Sequence, residues 1–65
     1  MPVSLDKIRV GGKVWVQGGF GQERASLVRV LHTHQDIKNG RPGIDYELPN
    51  GDTRWAYLDQ VRSLA

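Results

Sequence analysis

The 65-residue sequence predicts an all-β domain of five short antiparallel strands. Three observations carry that expectation. Glycine cuts the chain at short intervals, at Gly11-Gly12, Gly18-Gly19 with Gly21, Asn39-Gly40, Pro42-Gly43 and Asn50-Gly51, which is the turn spacing of a small β domain. Between these breaks, polar and apolar residues tend to alternate. The long run from Arg24 to His34 is rich in β-branched residues and lacks helical spacing.

The first strand is expected at 13–17, with Val14 and Val16 on one face and Lys13, Trp15 and Gln17 on the other. A glycine-rich tip around Phe20 follows. The second strand is expected at 24–33. Its parity is ambiguous, because Ala25 and Leu27 share one face while Val28 and Val30 share the other. A bulge near Leu27 and Val28 would turn both pairs inward. Residues 35–43 read as a polar loop. The third strand, 43–48, puts Ile44, Tyr46 and Leu48 on one face, and Pro49-Asn50-Gly51-Asp52 reads as a hairpin turn. The fourth strand is expected at 53–58. A single tight helical turn over Leu58 to Val61 leads into a last strand at 61–64. The opening Ser4-Leu5-Asp6-Lys7-Ile8 is either a turn capped by Ser4 or an extended lead-in. The expected core is Val14, Val16, Val28, Val30, Ile44, Tyr46, Leu48, Ala56, Leu58 and Val61, with Leu5 and Ile8 covering one open end.

Composition narrows the function classes. A chain this short holds one small domain. Cysteine is absent, so neither a disulfide framework nor a cysteine zinc site is available. No apolar run approaches the ~20 residues of a membrane helix. The opening residues lack the basic-then-apolar layout of a signal peptide, so a cytoplasmic location is expected. Nine Lys and Arg against seven Asp and Glu give a net charge of +2, with the cations scattered along the chain.

The strand order, the helical turn before the last strand and the closing spacing resemble the SH3-like barrel superfamily, in its Tudor and chromo-barrel branch. The matching residues are Gly12-Lys13-Val14-Trp15-Val16, Ala25 and Val28, Tyr46 before Pro49-Asn50-Gly51, then Ala56, Val61, Arg62 and Leu64. The resemblance implies a five-stranded SH3-like, Tudor-type barrel over residues 11–65, with 1–10 as a lead-in segment. Lys13 to Val30 also resembles a KOW motif, with Ala25 where that motif prefers glycine. Gly51, Leu58, Val61 and Leu64 resemble the closing spacing of the plasmid-borne, SH3-like dihydrofolate reductase. That reductase's Val-Gln-Ile-Tyr signature is missing from Thr53 to Tyr57, so reductase activity is not expected.

No residue set makes a catalytic signature. His32 and His34 share a strand face, and Asp36 is the nearest carboxylate of the same parity, but two imidazoles do not close a metal site. Asp45 and Glu47 share a face without the burial that would separate their acidities. The serines lack a nucleophile elbow. Gly18-Gly19-Phe20-Gly21 lacks the Lys-Ser/Thr of a phosphate loop. What stands out is an aromatic and cationic set. If Val14, Val16, Ala56 and Leu58 face the core, then Trp15, Trp55 and Tyr57 point away from it. With Phe20, Arg24, Lys38, Arg41 and Arg54 they are expected to form a binding surface. The expected function is therefore a non-enzymatic binding module without cofactor or metal. Nucleic acid and protein partners stand close, nucleic acid slightly ahead on the sequence pI near 9.4 and the mixture of Arg with aromatics. A homo-oligomeric scaffold or small-molecule-binding barrel is the alternative.

Overall fold

The computed structural model describes residues 3–18 and 24–65. Five strands follow one another: β1 (Lys13–Gln17), β2 (Ala25–Lys38), β3 (Arg41–Glu47), β4 (Thr53–Tyr57) and β5 (Val61–Leu64). Three-residue 3₁₀ turns, Leu5–Lys7 and Leu58–Gln60, lie ahead of β1 and β5. All strand neighbours are antiparallel, in the order β4-β3-β2-β1-β5.

The expected barrel is not closed by hydrogen bonds: β4 and β5 are the two edges of a single sheet among the described residues. The sheet nevertheless curls. Laid flat, edges four strand spacings apart would be separated by about 19 Å. Yet only Leu58–Gln60 joins β4 to β5, and a 3₁₀ turn of that length rises about 6 Å. Gln60 secures this corner. Its Oε1 accepts a hydrogen bond from the Tyr57 backbone N–H at 3.0 Å, and its Nε2 donates to the Gln17 carbonyl at the end of β1 at 3.3 Å.

The concave face holds the core: Val14, Val16, Val28, Val30, Ile44, Tyr46, Ala56 and Val61 are all buried, as alternation predicts. Leu48 and Leu58 are only partly buried, because each sits just past a strand end, at the margin of the sheet. Ile8 joins the core at 6% exposure, and Val3 and Leu5 pack against it. The segment is held where Gly11 N–H donates to the Val30 carbonyl at 2.8 Å and Val30 N–H donates to the Gly12 carbonyl at 2.9 Å. Leu5–Lys7 is the helical alternative of the two expected openings. The Ser4 hydroxyl does not cap it but bonds the Asp6 carboxylate, and that bond holds the Asp6 carboxyl below its ordinary range.

β2 departs from expectation in two ways. No bulge lies near Leu27 and Val28, since β1 and β2 pair without interruption from Lys13↔Arg29 to Gln17↔Ala25. Ala25 therefore stays exposed and Leu27 half-buried. The register shifts further on, between Val30↔Tyr46 and His32↔Asp45, where Leu31 is the extra residue. This bulge bends β2 at the point where it passes from pairing with β1 to pairing with β3 alone. Nor is 35–43 a loop. β2 and β3 run on, through a second register shift between His34 and Lys38, to Lys38↔Arg41 and reverse over Asn39-Gly40. Both turn residues have positive φ, 56° and 73°, the two-residue hairpin that Asn-Gly favours. Pro42 and Gly43, read as turn residues, lie inside β3. A Cβ on Gly43 would stand 2.4 Å from the Ala56 carbonyl oxygen and 2.5 Å from Ile37 Cγ2. This glycine marks a close approach between chains rather than a reversal.

Candidate functional site

The β2–β3 hairpin and β4 assemble the most distinctive surface. Alternation along β4 turns Ala56 inward, 1% exposed, and leaves Trp55 outward, 45% exposed. Trp55 and Tyr57 share the outer face two residues apart, with ring centroids 5.1 Å apart and planes at 89°, the edge-to-face arrangement aromatic quadrupoles favour. The hairpin brings its two flanking cations over this pair. Lys38 Nζ lies 5.5 Å from the Trp55 ring centre, and the Arg41 guanidinium lies 4.0 Å from that of Tyr57. Asn39 Nδ2 approaches Tyr57 Oη at 3.4 Å, and Arg41 is ion-paired with Asp59 from the 3₁₀ turn. Lys38, Arg41, Trp55 and Tyr57, four of the eight residues expected to share a surface, thus meet as one cluster.

The same face continues across the sheet. Asp45 pairs in register with Trp55 on β4 and with His32 on β2. Its Oδ2 lies 2.7 Å from His34 Nε2 and 3.9 Å from His32 Nδ1. Asp45, not Asp36, is the carboxylate the two histidines share, because the Leu31 bulge sets the register that faces them. Asp36 instead accepts a hydrogen bond from Gly40 N–H at 2.9 Å, bracing the hairpin turn. Among the described residues no group of three or more His, Cys, Asp or Glu side chains is placed to hold a metal ion. A shallow groove of about 370 Å³ runs beside Trp55, bordered by Leu31, His32, Asp45, Thr53 and Arg54.

The remaining expected site residues lie elsewhere. Trp15 is outward-facing and 40% exposed, but on β1, facing Leu27 and Ser63 across its neighbouring strands. Three strand spacings, about 14 Å, separate β1 from β4. Arg54 is flanked by Trp55 in sequence but sits on the opposite face of β4. It pairs with the buried Tyr46 and lines a cavity with Arg24 at the open end of the core. Arg54 also borders the groove beside Trp55, while Lys38 and Arg41 are the cations that lie over the rings. Phe20 lies outside the described residues. Sequence reasoning missed Asn39, Asp45 and Asp59 as parts of the outer face. The signal for Asn39 was the Asn-Gly pair itself, whose hairpin reading would have set Lys38 opposite Arg41.

Comparison of the chain with protein-family models, with curated proteins and with solved structures gave no match.

Proposed function

We propose that the chain is an SH3-like, Tudor-type barrel acting as a non-enzymatic binding module, with the outer face of β4 and the β2–β3 hairpin as its contact surface. The barrel reading is supported by the strand order, the bend in β2 and the 3₁₀ turn that draws the two edge strands together. The binding reading rests on one observation above the rest: an exposed Trp55–Tyr57 edge-to-face pair overlaid by Lys38 and Arg41.

The partner this surface fits best is a protein segment. Trp, Tyr and Arg are the residue types that dominate protein interfaces energetically. The local charge is mixed, since Asp59 neutralises Arg41 and Asp45 lies beside Trp55. Phosphate backbones reward accumulated positive charge, whereas here the cations beside the aromatics are interspersed with Asp45 and Asp59. Nucleic acid is the second reading, supported by Lys38 over an exposed indole, an arrangement on which a base can stack.

Titration of Trp fluorescence against an array of short peptides and against single-stranded oligonucleotides tests both. Peptides carrying an apolar residue beside an acidic one are expected to bind, and Trp55→Ala is expected to lose that binding. Oligonucleotide binding that weakens with salt and depends on Trp55 selects the second reading. Binding that survives Trp55→Ala and Tyr57→Ala together removes the surface from consideration.

A further inference from the structure

The cavity at the open end of the core is built from the concave face of the sheet. Val16, Val28, Tyr46 and Leu48 supply its apolar wall, and Arg24, Ser26 and Arg54 its polar side. Its volume is about 250 Å³, just under the usual range of small-molecule pockets, about 300–1,000 Å³. Strand parity explains how the arginine gets there. Arg54 pairs with Tyr46, and Ser26 pairs with Val16, so each shares the inward face of its strand with a core residue. At these positions a bare apolar residue would extend the core. The sequence supplies Arg54 and Ser26, with Arg24 beside them.

Among the described residues, neither arginine has an ion-pair partner: the pairs join His32 and His34 to Asp45, and Arg41 to Asp59. No carboxylate lines the cavity among the described residues. Two guanidinium groups therefore border one small space with an apolar wall and a hydroxyl.

We propose that this cavity is a binding site for a small organic phosphate. One guanidinium already satisfies a carboxylate in a two-bond fork, whereas a phosphate monoester carries more charge and three terminal oxygens for donors from two arginines. Ser26 is the added neutral donor. The wall of Val16, Val28 and Leu48 then receives the ester's carbon body, removing apolar area from water. The site shares Arg54 with the edge of the Trp55 groove but not Trp55 itself, and does not rest on the function proposed for that face.

The probes are phenyl phosphate, benzoate and inorganic phosphate, followed by amide and methyl chemical shifts in the full chain. Phenyl phosphate is expected to give saturable shifts at Val16, Ser26, Val28 and Leu48, and to bind more tightly than either other probe. Arg24→Gln and Arg54→Gln are each expected to weaken it roughly tenfold or more, the loss of one charge-assisted interaction. Trp55→Ala is expected to leave it unchanged. The spectrum of each variant, which should retain the wild-type dispersion, shows that the fold persists, and Arg54→Lys, which keeps the charge without the fork, should lose less than Arg54→Gln. The proposal is overturned if no probe gives saturable shifts at these residues, if benzoate binds as well as phenyl phosphate, if inorganic phosphate binds as well, or if both Gln variants bind like the wild type. In that last case the arginines only cap the core with their aliphatic stems.

Discussion

Replacing Trp55 with Ala removes a ring contact with Tyr57 and the seat of Lys38, but no part of the concave core. An edge-to-face aromatic pair contributes about 0.5–1.5 kcal/mol, and an exposed cation–π contact about 0.5–1 kcal/mol. A buried Trp would cost about 3–5 kcal/mol on truncation. Trp55→Ala is therefore expected to lower stability by about 1–2 kcal/mol in a denaturant titration; a loss in the larger range would mean that Trp55 packs as a core residue. Gly43 is the opposite kind of position. An added Cβ would meet the Ala56 carbonyl, which is backbone and cannot swing aside, and Ile37 Cγ2, which can. Gly43→Ala is expected to cost about 1–3 kcal/mol through overpacking. Adding Ile37→Ala should not restore the wild-type midpoint, because the carbonyl clash remains; full rescue would show that Ile37 alone forbids the side chain. Trp55 was legible from the sequence because strict alternation fixed its face. Gly43 was not, because a glycine at a close approach and a glycine in a turn look alike until the neighbouring strand is placed.

At the scale of elements, the β2–β3 hairpin matters most, since it delivers Lys38 and Arg41 to the aromatic pair. Its turn depends on positive φ at both Asn39 and Gly40. A side chain with Cβ in that region costs about 1–2 kcal/mol, less for Asn, whose short polar side chain tolerates it. Gly40→Ala is thus expected to destabilise by about 1 kcal/mol and to weaken partner binding, although Gly40 itself lies outside the ring cluster. Unchanged affinity with lowered stability would show that the cations reach the rings without the hairpin's geometry. Strand positions were largely legible: β1 and β5 fall where alternation put them, and the core follows the same parity. Two features were hidden. The Leu31 bulge leaves no compositional mark, since an extra residue in a β-branched run changes only the register. The pairing of Asp45 with His34 follows from that bulge and was hidden with it. Arg54 is a different case. Alternation already placed it opposite Trp55, yet its adjacency in sequence lets it border the groove beside Trp55 as well as the cavity at the end of the core.

For the whole molecule, the question is how 65 residues without a disulfide sustain a fold. A single core in a chain of this size supplies no more than about 3–5 kcal/mol of net stability, so each buried side chain carries a large share. The curled sheet leaves an end that the strands do not cover, and Ile8 with Val3 and Leu5 packs there against the core. Within residues 1–10, read from sequence as a lead-in to the barrel, Val3, Leu5 and Ile8 thereby contribute to the same packing unit. Ile8 is 6% exposed, and its neighbour Val10 is 63% exposed, which provides an internal control two residues away. Ile8→Ala removes buried methylene groups and leaves a void, at a cost of about 2–5 kcal/mol. Val10→Ala removes little buried surface and should stay within about 0.5 kcal/mol of the wild type. In a domain this small each kcal/mol shifts the melting temperature by about 4–8 °C. Ile8→Ala should therefore melt at least about 10 °C below the wild type, or be partly unfolded at room temperature, while Val10→Ala melts with the wild type. Thermal melts followed by far-UV circular dichroism read both variants directly. If Ile8→Ala melts within a few degrees of the wild type, the concave core is closed by the strands themselves, and the opening segment is a cover that the fold does not need.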